Sequence, residues 1–140
     1  MLKKIKNLPT VLTLPHQIGY FTNMTREFVI MPEFDRQWQK MGLDDDDLRQ
    51  LQEMLLQNPK AGNVIRGTKG LRKVRIAFEQ RGKSGSGRVA YVDFTVHETV
   101  YLITAYSKKD KDSLSKEERN AIAKMIVKLE NGLIKQEVRK

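Results

Sequence analysis

The chain predicts an α+β fold in the order N-terminal strand, two helices, antiparallel three-stranded meander and C-terminal helix. Three features carry that expectation. Apolar residues recur at helical spacing between residues 32 and 57, and from Leu71 the period changes to two. A capping box, Ser115 with Glu118, then opens a last run in which Ile122, Met125, Ile126, Leu129 and Leu133 share one helix face.

The first 23 residues mix Pro, Thr, Asn and Gly without periodicity and are expected to form a flexible extension to a single domain over residues 24–140. Residues 26–31 read as a strand. Pro32 suits a first helical position, Phe34, Trp38 and Met41 follow at i, i+4 and i+7, and Gly42 suits the stop. Residues 44–47, all aspartate, place negative charge where the macrodipole of a second helix favours it, and Leu48, Leu51 and Leu55 form its stripe. Four consecutive carboxylates at a helix start point in several directions, so capping is preferred to a metal site. Asn58-Pro59 ends that helix. Residues 71–78, 88–96 and 99–107 are rich in Val, Ile, Tyr, Phe and Thr and read as consecutive antiparallel strands. The Gly/Ser-rich loop 79–87, with Arg81 and Lys83, is expected to be mobile and basic, and His97-Glu98 to form a tight hairpin.

Composition narrows the function. No apolar run approaches the ~20 residues that cross a bilayer. Pro9 and Pro15 interrupt the stretch after Lys3, Lys4 and Lys6 that would otherwise resemble a signal peptide, so a cytoplasmic protein without membrane contact is expected. The absence of cysteine excludes disulfides, thiolate metal sites and thiol nucleophiles. A net charge of +9 calls for an anionic partner. The charge is concentrated: residues 61–111 hold eleven Lys or Arg against four Asp or Glu, whereas residues 24–60 hold five against eight. Histidine occurs only at positions 16 and 97, and Glu79, Asp93, Glu98 and Asp110 lack metal-ligand spacing. With no phosphate-binding loop either, neither metal nor cofactor is expected.

Alternation along the first meander strand puts Lys73 and Arg75 on one face and Val74, Ile76 and Phe78 on the other. Arg88 opens the next strand. Tyr106 and Lys108 share a face at the end of the third, and Lys109 follows. One cation on a strand is ordinarily solvated or protects an edge, and a tyrosine is ordinarily core with its hydroxyl at the rim. Several like charges side by side repel one another unless an anion is to be bound. RNA supplies its own nucleophile, the 2′-hydroxyl. A protein that cleaves it has only to orient the backbone, take up a proton, neutralise charge on the phosphorane and protonate the leaving oxygen.

The stretch Gly70-Leu71-Arg72-Lys73-Val74-Arg75, the basic loop with Gly87-Arg88-Val89-Ala90-Tyr91, and Tyr101-Leu102-Ile103-Thr104-Ala105-Tyr106-Ser107-Lys108 resemble the RelE/ParE toxin superfamily, in particular its HigB-like branch. Residues 58–67 resemble that branch's linker, and the likeness spans about residues 26–135. It implies a small RelE-like fold and a type II toxin that cleaves messenger RNA, on the ribosome and without a metal. It also implies a cognate antitoxin, commonly a HigA-like helix-turn-helix protein through which operator DNA is engaged. By position, Lys73 and Arg75 match residues that hold RNA and assist proton transfer, and Arg88 matches the arginine that stabilises the transition-state phosphate. Lys108 and Lys109 match the basic strand end that supplies a proton donor. Tyr106 joins Lys73, Arg75, Arg88 and Lys108 as a catalytic candidate, while Arg72, Arg81, Lys83, Tyr91 and Lys109 are candidates for RNA binding. RelE carries a tyrosine near its C-terminus as proposed general base; residues 112–115 here contain none, so the base is unassigned. Two alternatives share these features: a ParE-like poison of DNA gyrase on the same scaffold, and a nucleic-acid-binding protein without catalysis, for which the positive field alone suffices.

Overall fold

The computed structural model describes residues 3–6, 25–77 and 86–138. Its elements follow the expected order with three additions, two strands and a one-turn 3-10 helix (Thr95–His97), which takes the place of the last residues of the strand expected at 88–96. Strand β1 (Lys3–Lys6) precedes β2 (Glu27–Ile30), helix α1 (Pro32–Lys40) and helix α2 (Asp45–Gln57). A two-residue β3 (Asn63–Val64) comes before β4 (Arg72–Ala77), β5 (Ser86–Phe94), β6 (Thr99–Ser107) and helix α3 (Lys116–Val138). Four residues of the expected extension are thus in a strand, and the rest of it lies outside the described residues, as does the loop expected at 79–87 except for Ser86 and Gly87. No helix among the described residues is long and apolar enough to cross a membrane.

The helix ends obey the local chemistry. Pro32 occupies the first turn of α1, where its missing N–H costs nothing, and Gly42 takes the left-handed conformation at φ +77° just beyond it. Asp44 caps α2 by accepting from the Asp47 backbone N–H at 3.0 Å, and the Asp47 carboxylate accepts from the Asp44 N–H at 2.9 Å. The aspartate run is a capping box. Trp38 stacks on Phe34 and donates its indole N–H to the Asp44 carbonyl at 3.1 Å, which fixes the angle between the two helices.

The sheet has the order β1-β2-β6-β5-β4-β3, with β2 parallel to β6 and all other neighbours antiparallel. One face carries Phe28, Ile30, Val89, Tyr91, Val100 and Leu102 under α1 and α2, whose Phe34, Trp38, Leu48, Leu51 and Leu55 close that core. The other carries Val29, Ala90, Val92, Phe94, Tyr101 and Ile103 under Ile126 and Leu133 of α3. A bulge divides β6. Ala90 faces Thr104 but Tyr91 faces Leu102, so Ile103 is the extra residue. Before the bulge even-numbered residues of β6 face α1 and α2; after it Tyr106 faces α3.

Among the described residues one ion pair is buried in this frame. Arg26 reaches across β6 to Asp93 on β5, with Nε 2.9 Å from Oδ1, and the two side chains are only 10% and 2% exposed. Thr95 donates to the second carboxylate oxygen at 2.9 Å. Removing one partner leaves the other charge desolvated and uncompensated, so Asp93→Ala is expected to lower the unfolding free energy by about 3–5 kcal/mol. Urea denaturation checks this, and a loss below about 1 kcal/mol, the size of an exposed pair, would show that water reaches Arg26.

Candidate nucleic-acid interface

The period-two pattern of three strands and their register build one row of side chains. Arg75 of β4 lies directly opposite Arg88 of β5, and Arg88 lies directly opposite Tyr106 of β6. Directly opposed residues point to the same face with Cβ atoms about 5 Å apart, so the three stand side by side on the α3 face of the sheet. Lys73, two residues before Arg75, adds a fourth side chain in the next row, opposite Ala90. The apolar cluster under α3 draws nothing from β4 itself. The row therefore runs from exposed Arg75 through half-buried Arg88 to buried Tyr106.

Tyr106 ends the row in an unusual state. Its hydroxyl is buried without a hydrogen-bond partner. Burial raises its pKa above the ordinary phenolic value, with Arg88 pulling it back and Glu118 pushing it further up. The hydroxyl therefore keeps its proton at neutral pH and can offer a hydrogen bond, which suits an oxyanion better than it suits the work of a base. A buried donor left unpaired costs about 1–3 kcal/mol, a cost recovered when an acceptor reaches it.

Two of the expected RNA-binding residues are placed elsewhere. Tyr91 is fully buried on the opposite face; its hydroxyl donates to the Pro59 carbonyl at 2.8 Å and accepts from the Gly62 N–H at 2.9 Å. Arg72, directly across from it, donates to the Gly62 carbonyl at 2.8 Å. Both bind the segment 59–62 to the sheet. Gly62 permits the approach, since a Cβ there would lie 2.8 Å from the Lys73 carbonyl oxygen. Lys108 and Lys109 are exposed in the turn after β6, where the Lys108 backbone N–H still donates to Ser86 at 3.0 Å. Arg81 and Lys83 lie outside the described residues.

The sequence reading missed Lys111. Its Nζ stands 5.4 Å from the centre of the Tyr106 ring and 2.7 Å from the Glu118 carboxylate, close to the buried end of the row. Only its membership of the 108–111 run of charge could have drawn attention to it. Among the described residues no three His, Asp or Glu side chains are grouped as metal ligands would be.

Comparison with known proteins places these residues in a family context. The family model described as the RelE toxin of the RelE/RelB toxin-antitoxin system matches residues 30–139, a span that includes the whole row and α3. A free-state structure of a doubly substituted E. coli toxin RelE matches with a TM-score of 0.43 at 19% sequence identity, covering 61% of this chain and 85% of that one.

The placement of Tyr91 separates stability from RNA contact. Tyr91→Phe leaves a buried N–H and a buried carbonyl without their shared partner, so unfolding in urea is expected to come earlier by about 1–3 kcal/mol. Affinity for a fluorescent single-stranded RNA should stay at the wild-type value. A weakened affinity in a fully folded variant would put Tyr91 back at the interface.

Proposed function

The chain belongs to the RelE toxin family of toxin-antitoxin systems, and on that premise we propose that it is an endoribonuclease that cuts messenger RNA on the ribosome and so stops translation. The observation that supports this most is the lateral row Arg75, Arg88, Tyr106, with Lys73 beside it, on the part of the sheet that α3 leaves open. Cations in neighbouring strands repel, and the arrangement gains only when a phosphate lies over them.

The chemistry assigned to the row follows from its gradient of exposure. Lys73 and Arg75, at the open end, hold the RNA backbone so that the 2′-hydroxyl lines up with the adjacent phosphorus. The 2′-oxygen attacks and loses its proton, the bond from phosphorus to the 5′-oxygen breaks, and a 2′,3′-cyclic phosphate and a 5′-hydroxyl end result. Arg88, half-buried and central, neutralises the charge that gathers on the phosphorane oxygens, where partial exclusion of water strengthens the interaction. Lys108 or Lys109 delivers a proton to the leaving oxygen. Tyr106, held protonated, is a hydrogen-bond donor and not the base. The cognate antitoxin, in this reading a helix-turn-helix protein that also holds operator DNA, silences the toxin by covering or distorting the row.

Induction of the wild type beside Arg88→Ala in a bacterial host, with primer extension across abundant transcripts, tests the proposal. Wild type should arrest growth and create new 5′ ends inside translated frames, and Arg88→Ala should reduce the cleavage rate by about 10²–10³-fold, as removal of one transition-state donor does. Purified toxin stripped with a chelator, which is removed before the toxin meets magnesium-containing ribosomes, should cleave at the untreated rate in a reconstituted translation system. Arrest with intact transcripts and broken DNA would overturn the nuclease in favour of gyrase poisoning.

A further inference from the structure

Helix α3 begins with a cap that does more than cap. The Glu118 carboxylate accepts from the Ser115 backbone N–H at 2.9 Å, and Ser115 Oγ accepts from the Glu118 N–H at 3.1 Å. That reciprocal pair satisfies two of the N–H groups that a helix start leaves without partners. The other Glu118 oxygen accepts from Lys111 Nζ at 2.7 Å, and Lys111 in turn lies over the ring of Tyr106. One carboxylate thus joins the first turn of α3 to the buried end of the cationic row.

The cap does not need this arrangement. A glutamine at the same position accepts from the Ser115 N–H equally well, because the capping box asks only for an acceptor. Nor does the ion pair repay much as a surface interaction: both side chains are more than a third exposed, and pairs of that kind contribute little to stability. Lys111 lies over Tyr106, the residue directly opposite Arg88, so it adds a further positive charge at the end of a row that already carries Arg75 and Arg88. What the pair does is hold an ammonium group in one place. An ammonium has three N–H donors; Glu118 takes one, and two are left for phosphate oxygens. The unpartnered Tyr106 hydroxyl beneath is a second donor at the same end of the row.

We propose that Glu118 is a positioning residue: it holds Lys111 over Tyr106 so that Lys111 closes the row as its third cation on the RNA phosphate, after Arg75 and Arg88. This rests on the nuclease reading above. Held in place, Lys111 loses little freedom when the phosphate arrives; released, the same side chain must be ordered during the reaction. The lowered pKa of Glu118, caused first by the Lys111 hydrogen bond and then by the Ser115 backbone, keeps the carboxylate charged through the neutral range.

Substitution separates the two tasks of Glu118. Glu118→Gln keeps the cap and removes the charge that holds Lys111, whereas Ser115→Ala removes half the cap and leaves the Lys111 pair, since the backbone N–H remains. Cleavage is followed with full-length protein in a reconstituted translation system, at increasing ribosome concentration, together with thermal melting. Lys111→Met is expected to slow the saturated rate by roughly 10–100-fold, and Glu118→Gln by roughly 3–10-fold, in the range expected when a charge-stabilising group is removed or left mobile. In both the half-saturating concentration should move little. Glu118→Gln should cost nothing further in the Lys111→Met background, and Ser115→Ala should melt earlier while cleaving at the wild-type rate. Wild-type cleavage by either Glu118→Gln or Lys111→Met overturns the proposal, as does a Glu118→Gln loss that persists without Lys111 or is matched by Ser115→Ala. In each of those cases the wild type still cleaves and the nuclease reading stands. Failure of the wild type itself to cleave overturns both.

Discussion

Six strands spaced ~4.8 Å apart make a sheet roughly 24 Å across, whereas a helix with its side chains is only ~10–12 Å wide. Among the described residues two helices cover one face of this sheet, and α3 is the one helix on the other. A single helix has to choose its strands. Here it lies over residues of β2, β6 and β5, and no α3-side residue of β4 joins the apolar cluster beneath it among the described residues. Those residues are Lys73, Arg75 and Ala77, two of them cationic, while the alternate residues Val74 and Ile76 pack on the α1–α2 side. The candidate site is thus the remainder of the packing problem, and its position follows from where the one helix was laid.

Much of this was legible because local rules act within a few residues. The caps at Asp44 and Ser115, the stop at Gly42 and the extent of β6 depend on neighbours in sequence, and all lie where the chemistry of those residues puts them. The pairing of β2 alongside β6 in parallel joins segments some seventy residues apart, and no short-range pattern encodes it. β3 is two residues long, too short for any period. The bulge at Ile103 was hidden for a different reason: Leu102, Ile103, Ala105 and Tyr106 are all buried, so both faces of β6 are apolar and the alternation that would reveal a slipped register is missing. For Tyr91 a signal did exist. It stands three residues from Arg88, hence on the opposite face of the same strand, and parity alone would have separated it from the row of Arg75 and Arg88. Lys111 gave no such sign, since it belongs to a turn.

Charge is handled differently at the two ends of the sheet. At one end Arg26 and Asp93 are buried together with their hydrogen bonds satisfied, which makes the pair a fixed feature of the frame. At the other, Arg75 and Arg88 face each other across two strands with no acidic partner among the described contacts of their side chains. Repulsion of that kind subtracts from stability and is tolerated where binding returns it. A frame stabilised elsewhere, by the buried pair, by two apolar cores and by the Tyr91 bridge to segment 59–62, can carry such a cost.

The bulge is what connects this frame to the chemistry. Were β6 regular, Tyr106 would share a face with Val100 and Leu102 and point into the core under α1 and α2. One extra residue turns it to the face of Arg88, at the margin of the α3 core, where burial raises its pKa and leaves its hydroxyl unpaired. A tyrosine that keeps its proton does not take one up, so in the proposed nuclease the proton of the 2′-hydroxyl would leave by another route. In the proposed reaction the RNA backbone would meet water at the open end of the row, next to Lys73 and exposed Arg75. Proton uptake at the exposed end and charge stabilisation toward the buried end form one consistent assignment, because a charged transition state gains most where water is scarce and a proton leaves most easily where water is plentiful.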